Sequence, residues 1–67
     1  MNLEPQLPQL LASKTVASHL GVSQSTLSRL RKEGDGPAFV MIRGCARYRP
    51  ESVEAWIAAE EGRASVA

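Results

Sequence analysis

The sequence predicts a mainly α domain with one small β-hairpin, in the order helix, tight turn, helix, two-stranded wing, helix. Three observations carry this. Apolar residues at helical spacing lie on both sides of a Gly-Val-Ser turn in residues 14–33, KTVASHLGVSQSTLSRLRKE. Turn residues then bracket two short runs, Phe39 to Ile42 and Ala46 to Arg49. Finally, Pro50-Glu51 opens a segment whose apolar residues recur at i, i+3 and i+4.

In the first helix, Val16, Ala17 and Leu20 share one face. Ala17 is small enough to let a second helix cross closely. Ser13 is a candidate cap, with the boundary at Ser13 or one residue earlier. Gly21 follows Leu20 directly, where a glycine can take the left-handed conformation that ends a helix. Val22, apolar within the turn, is expected to plug the gap between the helices. Ser23 is a good N-cap for the second helix, because its hydroxyl accepts from a free backbone N–H one turn on. Leu27 and Leu30 form the inner face of that helix, and Gly34 is its stop. Two helices joined by so short a turn make a helix-turn-helix unit.

The outer face of the second helix is polar and basic. At ~100° per residue, Ser25, Ser28, Arg29 and Lys32 cluster opposite Leu27 and Leu30, with Gln24 and Arg31 nearer the edges. No acid occurs until Glu33. Serine hydroxyls can bond a base edge or a phosphate, and arginine can read guanine through two parallel hydrogen bonds. By itself such a face is an ordinary solvated surface. Behind an Ala-x-x-x-Gly turn it is a candidate reader of duplex DNA.

Asp35-Gly36-Pro37 is turn chemistry. Phe39 to Ile42 reads as a strand, Arg43-Gly44 as a turn and Ala46 to Arg49 as a second strand. Alternation puts Ala46 and Tyr48 on one side and Arg47 and Arg49 on the other. A lone hairpin is marginal in water, so this one must lean on the helices. It would project beside the second helix as a wing, with Arg43, Arg47 and Arg49 placed to reach phosphates or the minor groove. Pro50 suits the first position of a helix and Glu51 favours its start through the macrodipole. Val53, Trp56 and Ile57 are expected to form the buried stripe of this third helix, with Gly62 ending it. Trp56 is expected to be a core anchor. Tyr48 is placed in the core with its hydroxyl toward the surface. With only three aromatic residues, base stacking on a single strand is not the expected mode.

Sixty-seven residues make one small domain. Chains of this size bury only about 60% of their unfolded surface, so stability is marginal. The expected organisation is a loose arm at residues 1–9, the domain at 10–61 and a frayed tail at 62–67, with Leu10 and Leu11 packing against the first helix. One cysteine gives no internal disulfide framework, which suits a reducing cytoplasm. No apolar run is long enough for a membrane span or signal peptide. His19 and Cys45 are the sole histidine and cysteine, so no cluster with metal-ligand spacing occurs. There is no glycine-rich phosphate loop and no catalytic constellation. The expectation is a protein without enzyme activity, metal or cofactor.

Net charge is only +1, but its distribution is uneven. Residues 14–49 carry seven cations against Glu33 and Asp35, giving +5. Residues 50–67 carry Arg63 against four glutamates, giving −3, and Glu4 adds −1. A basic middle beside an acidic end is the footprint of a protein that meets a polyanion on one side.

Three stretches, VASHLGVSQSTLSRLRKEG, GPAFV and RYRPESVEAWI, resemble the short winged helix-turn-helix proteins of the MerR-like, excisionase and AlpA-type group. The likeness runs from Leu11 to Ile57. It implies duplex DNA binding without catalysis, with the second helix in the major groove and the wing on the neighbouring backbone or minor groove. The positions that carry this over are Ser23, Gln24, Ser25, Ser28, Arg29 and Lys32 in the helix, and Arg43, Gly44 and Arg47 in the wing, to which alternation adds Arg49. Cys45 and Met41 depart from the pattern, which often has a basic residue at the first and Lys at the second. So do Ala12 and Ser13, which stand where Thr and Pro are common.

Three roles fit the resemblance. One is an excisionase, a recombination directionality factor of a phage or mobile element that binds and bends attachment-site DNA for a tyrosine or serine integrase. The second is a small AlpA-type transcriptional regulator at an operator. The third, less favoured, is a DNA-packaging or assembly subunit. The short third helix, with no long dimerisation helix or effector domain after it, points to the first or the second, of which the first is slightly preferred. The implied setting is the cytoplasm of a bacterial host, with head-to-tail self-association on repeated DNA sites.

Overall fold

The computed structural model describes residues 9–65. The expected loose arm, apart from Gln9, and residues 66–67 of the expected tail lie outside them. The elements are β1 (Leu11–Ala12), α1 (Ser13–Leu20), α2 (Gln24–Glu33), β2 (Val40–Ile42), β3 (Cys45–Tyr48) and α3 (Pro50–Ser65). The winged helix-turn-helix order predicted from sequence is present.

The turn between α1 and α2 follows from its residues. Gly21 takes a φ of 72°, which an L side chain rarely adopts. In that conformation its N–H reaches the Ser18 carbonyl at 3.2 Å, while the Val22 N–H reaches the Ala17 carbonyl at 3.0 Å. These two bonds satisfy carbonyls left open at the helix end. Val22 thereby turns inward and packs against the core. Ser23 then caps α2, its Oγ accepting from the Thr26 N–H at 3.0 Å. α2 ends at Gly34 with the same pair of bonds, to the carbonyls of Arg31 and Leu30. α1 starts less well. Its N-cap is Ala12, one residue before Ser13, and no side chain caps it.

The sheet has three strands where the sequence predicted two. Its order is β1-β3-β2, with both pairings antiparallel. Leu11 pairs with Tyr48 and Ala12 with Arg47, so the lead-in to α1 is an edge strand. A two-residue strand carries too little alternation to be seen in sequence. In the hairpin, Ile42 pairs with Cys45 across Arg43-Gly44, and the strands run 40–42 and 45–48, not 39–42 and 46–49.

The core is Val16, Ala17, Leu27, Ala46, Tyr48 and Val53, with Leu11, Leu20 and Val22 packed against it. Ala46 and Tyr48 point inward as alternation predicted. The hairpin projects beyond this core, leaving Met41 57% exposed although it lies opposite buried Ala46.

The third helix departs most from expectation. Only Val53 of the predicted stripe is buried, while Trp56 is half-buried and Ile57 is 43% exposed. Trp56 acts as a tie: its Nε1 donates to the Asp35 carbonyl at 2.7 Å, joining α3 to the loop after α2. Gly62 does not end the helix, which runs on to Ser65. Nothing at Gly62 forces a stop, since its φ is not positive and no atom stands within 4 Å of where a Cβ would lie.

A candidate nucleic-acid interface

α2 presents the polar face through its own burial pattern. Leu27 is fully buried and Leu30 half-buried, which fixes the rotation of the helix. Gln24, Ser25, Arg29 and Lys32 are exposed as a result, and Ser28 is half-buried at the margin. The helix is ten residues long, about 15 Å at 1.5 Å per residue. With Ser13 from the start of α1 and Arg31, these residues line one open concavity that contains no acid.

Ser23 differs from the others. Its Oγ accepts from the Thr26 N–H and donates to Thr26 Oγ1 at 3.0 Å, so the hydroxyl is engaged in capping.

Arg31 was placed at an edge of the helix by its spacing, and the structure gives it a larger part. Its Nη1 donates to Tyr48 Oη at 3.0 Å and its Nη2 to Ser28 Oγ at 3.4 Å. The guanidinium carbon lies 5.7 Å from the centroid of the Phe39 ring, within cation–π range. Phe39 and Tyr48 in turn stand 6.1 Å apart, tilted by 49°. Arg31 thus ties α2 to the hairpin. It also gives the Tyr48 hydroxyl, expected at the surface, a partner inside, and the tyrosine is fully buried. Nothing in the linear spacing of Arg31 and Tyr48 signals this pairing across 17 positions.

The hairpin arginines are unlike one another. Arg43 and Arg49 are exposed. Arg47 is half-buried, with Nη1 donating to the Ala46 carbonyl at 3.2 Å. Arg43 has a φ of 50° and Gly44 a φ of 82°. Two positive values in a two-residue hairpin loop are the signature of a type I′ turn, which favours Asn or Gly at the first position. Arginine there is strained.

Neighbouring concavities share residues. Arg31 belongs both to the concavity on α2 and to the next one, lined by Gly34, Gly36, Pro37, Ala38 and Phe39. Phe39 and Ala38 are shared with a third, which reaches Arg47, Arg49 and Ser52. Arg31, Ala38 and Phe39 therefore lie between the concavity on α2 and the one that reaches the hairpin arginines. A separate groove between α1, α2 and α3 has the contrary character, with Leu20, Val22, Leu30, Trp56 and Ile57 beside Glu60 and Glu61.

A family model described as a helix-turn-helix domain matches residues 10–61. The chain belongs to the helix-turn-helix domain family. The match takes in both helices of the turn, all three strands and α3 as far as Glu61. Membership makes this chain a small DNA-binding protein, and its partner is double-stranded DNA. No curated protein matches the chain. Among the described residues, no group of three or more His, Cys, Asp and Glu side chains is placed to hold a metal ion. No described helix is long and apolar enough to cross a membrane.

Proposed function

We propose that this helix-turn-helix protein is an excisionase, a directionality factor that binds attachment-site DNA of a phage or mobile element and bends it for a tyrosine or serine integrase. It acts by binding, without catalysis of its own, in the cytoplasm of a bacterial host. α2 enters the major groove, where Gln24, Ser25, Ser28 and Arg29 meet base edges and Lys32 a phosphate. Arg43, Arg47 and Arg49 hold the flanking backbone, and Gly44 lets the hairpin tip approach it.

The observation that carries the reading is the exposed polar and basic face of α2, whose concavity is lined by Ser25, Ser28, Arg29, Arg31 and Lys32 and by no acid. The strained Arg43 supports it too. A costly backbone conformation kept under a cation at a hairpin tip points to use of that cation. The short reading helix supports side-by-side occupancy. A single helix of about 15 Å spans less than half of one DNA turn, so a strong site needs several copies in head-to-tail array.

The second reading is an AlpA-type regulator at an operator, which would use the same surface. Nuclease footprinting on candidate attachment-site DNA, with and without the integrase, separates them. An excisionase protects adjacent repeats cooperatively and changes the integrase footprint. Independent protection of a single promoter site, indifferent to integrase, would favour the regulator. In either role log affinity falls with log salt at about 0.9 per phosphate neutralised.

A further inference from the structure

Arg31 is a cation held by neutral groups. Its Nη1 donates to Tyr48 Oη at 3.0 Å, its Nη2 to Ser28 Oγ at 3.4 Å, and its guanidinium carbon lies 5.7 Å from the centre of the Phe39 ring. None of these partners carries a negative charge. The side chain is half-buried, yet among the described residues no carboxylate lies within ion-pair distance of it. Cations drawn out of water are ordinarily paired, because the lost hydration has to be replaced. Here the fold supplies two hydrogen bonds and a ring but no counter-charge.

The guanidinium also has donors to spare. It carries five N–H groups in a planar fork, and two of them are engaged. Arg31 lines two neighbouring concavities, one with Ser25, Arg29 and Lys32 of α2 and one with Phe39, and no acid lines either. Arg29 and Lys32 are exposed and make no side-chain hydrogen bond among the described residues. They must give up rotamer freedom when a ligand arrives, whereas Arg31 has given it up already in folding.

We infer that Arg31 is itself a DNA contact, a guanidinium fixed in advance by Tyr48, Ser28 and Phe39 to take one backbone phosphate at the junction of α2 and the hairpin. The phosphate supplies the counter-charge that the fold lacks, and the planar fork can meet two of its oxygens. Such a contact sets the register of the protein on the duplex and carries no base preference of its own. The inference rests on the proposal that α2 faces DNA, and it adds a backbone contact at a residue that spacing put at the helix edge.

The test is titration of two duplexes, one selected from a randomised pool and one random, by the full chain over a range of salt, with thermal melting to establish that each variant is folded. Arg31→Met is expected to weaken binding about tenfold on both duplexes and to lower the slope of log affinity against log salt by about 0.9, the value for one phosphate. Arg31→Lys keeps the slope, because the charge stays, and loses part of the affinity, because an ammonium lacks the planar fork. Tyr48→Phe releases the guanidinium from its anchor, so it too keeps the slope and loses part of the affinity. The losses from Arg31→Met and Arg47→Ala add in the double variant, since each cation has its own phosphate. If Arg31→Met does not fold, Arg31→Gln, which keeps an amide donor and removes the charge, carries the comparison. A folded, uncharged variant at Arg31 with the wild-type slope overturns the inference, because the residue is then only a tie between α2 and the hairpin. So does a loss that disappears in the Arg47→Ala background, which would make Arg31 a support for the hairpin's contact. A loss confined to the selected duplex overturns it as well, by making Arg31 a base reader. A wild type whose affinity is flat in salt overturns the reading of α2 itself, and that failure shows before any variant is compared.

Discussion

α2 and α3 are both helices of this small domain, and they are held in contrary ways. α2 has a serine cap at one end, a left-handed glycine at the other, and Leu27 fully buried beneath it. Its orientation follows from its own residues. α3 is longer, sixteen residues against ten, yet among its described apolar side chains only Val53 is buried. It is tied to the rest through Trp56 and the Asp35 carbonyl. The difference shows where this fold concentrates its stability. It buries and caps the helix proposed to face DNA, and among the described residues holds the acidic helix through Val53 and the Trp56 tie.

The largest expected effect tests this contrast directly. Leu27→Ala removes the fully buried residue under α2 and should cost about 2–5 kcal/mol, enough to leave much of so small a domain unfolded. Ile57→Ala on α3, at a side chain 43% exposed, should cost about 0.5 kcal/mol or less. Urea unfolding followed by circular dichroism measures both. Equal losses would mean that α3 is packed as firmly as α2.

Next in size is the division of labour across the surface proposed to face DNA. Arg29→Ala should remove about 1–3 kcal/mol of discrimination between the preferred site and random duplex. Arg47→Ala should weaken binding to both alike, because its guanidinium is partly held by the Ala46 carbonyl and is proposed to meet a phosphate. Glu54→Ala on α3 should leave the base preference unchanged. Titrations on both duplexes distinguish these outcomes, and parallel losses for Arg29→Ala would remove it from base reading.

A smaller effect is expected from the caps. Ser23→Ala leaves the Thr26 N–H without its acceptor and should cost about 1 kcal/mol. Thermal melting measures it, and an unchanged midpoint would show that α2 depends on burial alone. The smallest effect runs in the other direction. Gly62 lies inside α3 with open space around its Cα, so Gly62→Ala should raise helix content and stabilise by at most about 1 kcal/mol. Amide exchange near the end of α3 would register the gain, and no change there would indicate that this turn is already fully helical.

Much of the fold was legible because its signals are local. Gly21 and Ser23 mark a turn through backbone conformation and capping, and neither requires a distant partner. Leu27 sets the rotation of α2, so the exposure of Ser25, Arg29 and Lys32 could be placed by spacing alone. The inward set of Ala46 and Tyr48 followed from a period of two. Most of what was missed or misplaced depends on distant neighbours. Leu11–Ala12 is a strand because β3 lies beside it. Trp56 is a half-buried tie because the Asp35 carbonyl comes within 2.7 Å. The helix runs past Gly62 because nothing near that residue stops it. Arg31 was assigned to an edge because its partners, Phe39 and Tyr48, belong to another element.

The order of elements, the turn from Gly21 to Ser23, the end of α2 at Gly34 and the outward aim of the polar face were determined by the sequence itself, since each depends on residues within about one helical turn of one another. The third strand, the fastening of α3 and the inward bond of Arg31 were decided only when the chain closed on itself. A hydrogen bond across 17 positions has no periodicity to announce it, and its geometry exists only once helix and hairpin are packed together.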